Sequence, residues 1–186
     1  MSYFPAFIEL DEKRVLIVGG GDVAYEKLLH LLDFTKNIDC IAERFSDAMV
    51  LKMQEHHLHY EKRLYKRGDI ASYGIVVVAV DDIALQSEIF EESKSYKCLC
   101  NAVDSVKYCD FIFPSYIKRD DLTIAVSTSG ASPAVAKYLR LYLESLVPQG
   151  IGNFLRQMRQ LRERLPKGKE RMKLLDEKAK EWFKNL

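Results

Sequence analysis

The sequence predicts an α/β protein built on a parallel sheet, and three observations carry that prediction. Two short, uninterrupted apolar runs, Val15–Val18 and 75–80, read as strands buried on both faces. Stretches with apolar residues at helical spacing separate runs of this kind, which is the alternation of strand and crossover helix. A triple-glycine turn, Gly19-Gly20-Gly21, joins the first apolar run to the first helical stretch.

That first strand–turn–helix unit, residues 14–32, organises the chain. Gly19 to Ala24 fit the pattern G-x-G-x-x-A between a strand and a helix, the context in which the pattern marks a dinucleotide site in a Rossmann-like sheet. Gly19 permits the tight turn, Gly21 lets backbone approach a pyrophosphate, and Ala24 lets the helix pack closely on the strand. The helix N-terminus offers N–H groups and a positive dipole end to phosphates. Gly19, Gly20, Gly21, Asp22 and Val23 are therefore candidate cofactor-binding residues. Ala24, Leu28, Leu31 and Leu32 form the inner face of that helix.

Ile38–Ala42 reads as the second strand and ends at Glu43, roughly 20 residues beyond the glycine turn, where an acidic residue bonds the ribose hydroxyls of NAD. The adjacent Arg44 is the type of residue that accommodates the 2′-phosphate of NADP; NAD is the expected cofactor. Ser46 caps a helix expected over 47–57, with Met49, Val50 and Met53 inward. His56, His57 and His59 read as its exposed end. Adjacent histidines diverge on a helix, and no cysteine or carboxylate completes a ligand spacing. The strand over 75–80 stops at Asp81-Asp82. Asp82 caps a helix running to about Lys94, and Asp81 stands where open α/β sheets bind ligands. A strand over 98–103 then carries Asn101 and ends at Asp104.

Beyond it the periodicity changes. Two strands, 110–117 and 122–127, follow without a helix between them and read as a hairpin. In the next loop, Ser127, Thr128, Ser129 and Ser132 beside a helix N-terminus read either as a carboxylate or phosphate cradle or as a well-capped helix. In both readings Ser132 is the N-cap and Pro133 the first helical residue. Pro148 and Gly150 break that helix. Apolar stripes over 151–165 and 172–183 then predict two amphipathic helices, packed on each other, on the body or on another subunit. The resulting organisation is a dinucleotide-binding domain over 1–109, a hairpin and helix over 110–147 and a helical region over 148–186.

The composition, 48% apolar and 30% charged, is that of a soluble globular chain, without an apolar run of membrane-spanning length. Four cysteines without a CxxC pair, and a start lacking a basic-then-apolar signal pattern, predict free thiols and a cytoplasmic protein. The formal net charge of +1 gives no case for nucleic acid. From Arg156 onward basic residues outnumber acidic ones eleven to five, a solvated face or a surface for an anionic partner.

Four stretches occur together and in order: YFPAFIEL at 3–10, VGGGDVAYEK at 18–27, NAVD at 101–104 with FIFPS at 111–115, and STSGASPAVAKYLR at 127–140. Over essentially its whole length the chain resembles the precorrin-2 dehydrogenase family, the dehydrogenase and ferrochelatase part of siroheme synthases. The resemblance implies NAD-dependent oxidation of precorrin-2 to sirohydrochlorin and, in some members, insertion of ferrous iron, Fe2+ then being a substrate. It also implies a Rossmann domain, a dimerisation hairpin and a helical C-terminal region in an intertwined homodimer. On that basis NAD lies across residues 19–23 and Glu43 with its nicotinamide near Asp81 and Asn101. Asp104 takes up a proton from the macrocycle, and Ser127, Thr128, Ser129 and Ser132 line the substrate cleft. The basic tail would lie near the carboxylates of the tetrapyrrole. At 42–44 this chain reads Ala-Glu-Arg where many relatives carry an Ala-Pro step. A sensor that binds NAD and has lost catalysis is the alternative, and retention of Asp104 weighs against it.

Overall fold

In the computed structural model, which describes residues 3–103 and 105–185, β1 (Val15–Val18) is the central strand of a five-stranded parallel sheet. The others are β2 (Ile38–Ala42), β3 (His59–Lys62), β4 (Ile75–Val78) and β5 (Leu99–Ala102), in the order β3-β2-β1-β4-β5. The chain builds outward from β1 to β3, returns to the other side of β1 for β4, and continues to β5. Val18 pairs with both Ile41 and Val78, so β1 and its two neighbours end almost level. The reversal point lies between β1 and β4, and the crevice beyond their C-terminal ends is where an open α/β sheet holds its ligand.

Three helices link the strands: α1 (Asp22–Leu32), α2 (Asp47–Glu55) and α3 (Ile83–Tyr96). Leu16, Val18, Val76, Val78, Cys100 and Ala102 form one buried cluster with Ile89 of α3 and Ile70 of the β3–β4 connection. Val15, Ile17 and Val77 point the other way by the pleat. Helix α1 packs on β1 and α2, and Ala24, Leu28, Leu31, Met49 and Met53 are buried. Each fully buried Leu, Met or Val contributes about 1.5–3 kcal/mol of transfer free energy. Polar anchors hold the rim: Asp39 accepts from Tyr73 and Arg14, and the buried Glu92 accepts from the Tyr65 hydroxyl at 2.8 Å and the Gly68 amide at 2.6 Å.

Two segments depart from expectation. The helix expected over 47–57 stops at Glu55; His57 adopts φ 54°, and His59 begins β3. This strand, HYEK, is exposed or half-buried throughout, so it lacks the alternation that would have announced it; pairing with β2 alone makes it a strand. The segment expected to open the hairpin at 110 instead closes the far edge of the sheet. Cys109 bridges to Asn101 antiparallel, and the Asp110 amide donates to Cys100 O at 2.7 Å. The Asp110 carboxylate accepts from the Cys100 amide at 2.9 Å and pairs with Lys94. An edge strand so covered offers no row of open amides to another chain. These contacts belong to a compact unit spanning Tyr3–Ile112.

A second unit, from Phe113 onward, contains the antiparallel hairpin β6 (Ser115–Arg119) and β7 (Leu122–Val126), then α4 (Pro133–Leu146), α5 (Ile151–Arg164) and α6 (Lys169–Lys184). The expected hairpin and C-terminal helices are present. Arg119 donates to Val147 O and Glu144 O, placing a cation at the C-terminal end of α4, where the helix dipole favours it. In the tight turn Asp120 takes φ 52°; Asp120 and Asp121 pair with Arg156 and Arg159 of α5, each at 2.8 Å. Phe154 of α5 and Trp182 of α6 stack at 4.6 Å. No described helix is long and apolar enough to cross a membrane.

All four cysteines are free thiols, as expected. Burial pushes the Cys40 and Cys100 thiols up to about 12 and Cys98 up to about 11. At pH 8 such thiols are thiolate in roughly one molecule in 10³–10⁴. Native protein treated with an aromatic disulfide reagent at pH 8 should leave these three unreacted on the timescale that labels an exposed thiol. Addition of guanidinium should release all four. Rapid labelling of Cys40 in the native state would contradict the burial described.

Candidate functional site

At the C-terminal end of β1 the first two glycines of the turn are required by the protein's own backbone. Gly19 has φ 131°, and a Cβ there would lie 2.1 Å from Ala79 O, just beyond β4. A Cβ on Gly20 would lie 2.0 Å from Arg44 O, just beyond β2, and Gly20 O accepts from the Ser46 amide at 2.8 Å. Gly21 differs, because a Cβ there would meet nothing within 4 Å. Its lack of a side chain therefore leaves open space beside the start of α1 rather than relieving an internal clash.

The helix termini point to the same place. Ser46 caps α2 by accepting from Met49, and Asp82 caps α3 by accepting from Ala84 at 2.9 Å and Leu85 at 3.1 Å. Helix α1 has Gly21 as its N-cap and no side-chain bond to its first-turn amides. The first N–H groups of a helix have no partner within it. At α1 no N-cap side chain takes them up and the turn beside them is open at Gly21, a combination that suits an anion. Asp22 and Val23 lie in the same exposed first turn.

Around this centre, Glu43 is exposed one residue past β2, with the exposed Arg44 next to it. Asp81 is exposed beyond β4, whose last predicted residues, Ala79 and Val80, lie outside the ladder. Of the aspartate pair, Asp82 is committed to capping and Asp81 is the open one. Asn101 is 6% exposed, and its amide donates to Phe111 O at 2.8 Å, so its side chain holds the 109–112 segment in place. Asp104 lies outside the described residues. Among the described residues, no group of three or more His, Cys, Asp or Glu could hold a metal ion.

Ser127, Thr128, Ser129 and Ser132 lie together in the second unit, between β7 and α4. Ser129 and Gly130 take φ 52° and 84°. Thr128 Oγ1 accepts from the Ser132 amide and donates to Ser132 O, both at 3.1 Å. Ser127 Oγ accepts from the Ser129 amide at 3.0 Å, and Ser132 Oγ caps α4 through the Val135 amide at 3.2 Å. The loop is thus pre-shaped by its own hydroxyls, with Ser129 exposed at its left-handed corner.

One residue was not legible as part of the site. Gln86, in the first turn of α3, is 4% exposed. Its Nε2 donates to Val80 O at 2.7 Å and reaches Val103 O at 3.5 Å, while its Oε1 accepts from Ser105 Oγ. The only sequence signal was a polar residue three positions before the inward-facing Ile89.

With this geometry established, comparison with known proteins is informative. A family model described as "Putative NAD(P)-binding" matches residues 6–115. The chain belongs to this family. A second model, described as "Sirohaem biosynthesis protein central", matches residues 119–146. Siroheme synthase 1 of Serratia proteamaculans is 34% identical over all 186 residues, 38% of that protein's length. The siroheme synthase of Pseudoalteromonas translucida is 36% identical over 152 residues, 82% of this chain and 32% of the relative. The chain therefore spans less than two fifths of the length of these curated relatives. Among solved structures, one titled SirC, precorrin-2 dehydrogenase, superposes with a TM-score of 0.80 at 25% identity, covering 94% of this chain and 88% of that one. The expected resemblance and fold class are borne out. The cofactor of the family is NAD(P), and the open Gly21 cradle with an uncapped α1 suits its pyrophosphate.

The glycines should separate on mutation. Gly20→Ala places a Cβ against backbone and should destabilise the turn, lowering the melting temperature. Gly21→Asp places its Cβ in open space, so the fold should persist while NAD⁺ affinity falls at least tenfold, by lost space and added negative charge. Calorimetric titration with NAD⁺ checks this. Unchanged affinity in folded Gly21→Asp protein would remove the pyrophosphate from α1.

Proposed function

We propose that this chain oxidises precorrin-2 to sirohydrochlorin with NAD⁺. The observation that carries the reading is the open space at Gly21 beside the uncapped α1, in a chain that superposes over nearly its full length on a precorrin-2 dehydrogenase. The α1 amides hold the pyrophosphate, Glu43 bonds the adenosine ribose, and Asp81 flanks the nicotinamide side of the crevice. NAD is favoured over NADP because a carboxylate at the ribose repels a 2′-phosphate. When bound, the nicotinamide supplies a hydride acceptor. The carboxylate of Asp104 takes the proton released from the same macrocycle, a role suited to a group ionised at neutral pH and tunable upward by an apolar substrate. Ser127, Ser129 and Ser132 offer hydroxyl protons to the substrate's carboxylates, and Thr128, whose own proton goes to Ser132 O, holds the loop in shape. Asp104 would also receive pyrrole protons if Fe2+ is inserted as a second reaction.

The active assembly in this reading is a homodimer. Val135, Tyr138, Leu139, Tyr142 and Leu146 form an exposed apolar face along α4, where a second subunit would remove them from water.

Three measurements test these readings. Supplied with precorrin-2 and NAD⁺, the chain should produce the sirohydrochlorin spectrum, and Asp104→Asn should reduce turnover about 10²–10⁴-fold while NAD⁺ affinity is retained. Near-normal turnover would assign the proton elsewhere, and a second incubation with sirohydrochlorin and Fe2+ alone reads the chelatase activity. Sedimentation at micromolar concentration should give a dimer, with an interface above about 2,000 Å². Tyr138→Glu with Tyr142→Glu should dissociate it; a stable, active wild-type monomer would refute the assembly.

A further inference from the structure

Two loops leave the sheet beside the cofactor crevice, one after β4 carrying Asp81 and one after β5 running through Val103 and Ser105. Among the described residues, strand pairing secures each at its root: Ala79 donates to Val18 O at 2.7 Å and Val103 to Val78 O at 2.9 Å. Beyond those bonds, one buried side chain reaches both. Gln86 donates to Val80 O of the first loop at 2.7 Å and approaches Val103 O of the second at 3.5 Å. It also accepts from Ser105 Oγ. The orientation of the amide follows from chemistry. Two carbonyls require a donor and the serine hydroxyl can donate, so Nε2 must face the carbonyls and Oε1 the hydroxyl.

We infer that Gln86 is a positioning residue that sets the two crevice loops against each other, through the residues on either side of Asp104 in sequence. This rests on the reading of Asp104 as the proton acceptor. Gln86 sits two turns before Glu92 and Ser93, the other buried polar residues of α3. Glu92 bonds the 65–68 segment and Ser93 bonds Phe90 O of its own helix. Of these three, only Gln86 bonds residues at the crevice. A buried amide with directional bonds to two loops restricts their relative displacement. A shift of about 1 Å between reacting groups can cost 10²-fold in rate. The role is distinct from cofactor binding, because the Gln86 side-chain hydrogen bonds among the described residues go to Val80, Val103 and Ser105 rather than to the glycine turn or Glu43.

The test compares Gln86→Leu, which removes the bonds, with Gln86→Met, which removes them but keeps the length of the side chain. Ser105→Ala deletes a single bond at a half-buried position and guards against loss of fold. Both Gln86 variants should lower kcat roughly 10- to 100-fold, and Ser105→Ala about 2- to 10-fold, with the Kd for NAD⁺ within about twofold of wild type. Amide hydrogen exchange, read without substrate, should accelerate at Val103 and Ser105 while the β4 amides stay protected. Wild-type kcat in folded Gln86→Leu, restoration by Gln86→Met, or unchanged exchange at Val103 and Ser105 would overturn the inference. Asp104→Asn measured in parallel separates the two readings. If it is fully active while the Gln86 variants are impaired, the proton-acceptor assignment fails and the clamp stands. If it is inactive while the Gln86 variants turn over normally, the clamp fails alone.

Discussion

At the centre of the Rossmann unit, backbone packs against backbone without a side chain between. The carbonyl of Ala79 occupies the position a Cβ on Gly19 would take, and the carbonyl of Arg44 does the same at Gly20. Three strand ends therefore converge within van der Waals distance, and β1, β2 and β4 can finish level. Any side chain at either glycine would force these ends apart and open the crevice that the sheet reversal creates. The third glycine is free of that constraint. It leaves open space beside the start of α1.

Around that point the division of labour among helix N-termini is chemical. Two of the three Rossmann helices satisfy their leading amides with their own side chains, Ser46 and Asp82. The third has no side-chain cap. A glycine N-cap costs only about a few tenths of a kcal/mol relative to Ser or Asp, so leaving this end without a side-chain cap is inexpensive. The Asp81-Asp82 pair shows the same economy within two residues, one carboxylate bound to the fold and the other facing outward.

The second unit is assembled on different principles. Its hairpin turn is held to α5 by two Asp–Arg pairs and its helix α4 is terminated by Arg119. Exposed pairs of this kind contribute little individually, so apolar packing must supply most of the stability. Much of the apolar surface of α4 faces solvent in the single chain. A two-stranded hairpin is marginal alone, which makes cover by a second subunit physically reasonable.

The sequence by itself determined the parallel sheet, the glycine turn, the caps at Ser46, Asp82 and Ser132, and the hairpin with its following helices. All of these are written in local signals: apolar runs, 3.6-residue spacing and residues with special backbone or capping chemistry. Tertiary structure decided the rest. Strand β3 has no apolar alternation and exists because β2 offers it a free edge. Residues 109–112 lie along β5 through one isolated bridge and the hydrogen bonds of Cys100 and Asn101, although Phe111 and Ile112 looked like hairpin. The partners of Asn101 and Gln86 have the same origin. A buried amide bonds whatever carbonyls and hydroxyls long-range packing brings to it, and no spacing in the sequence records which those will be.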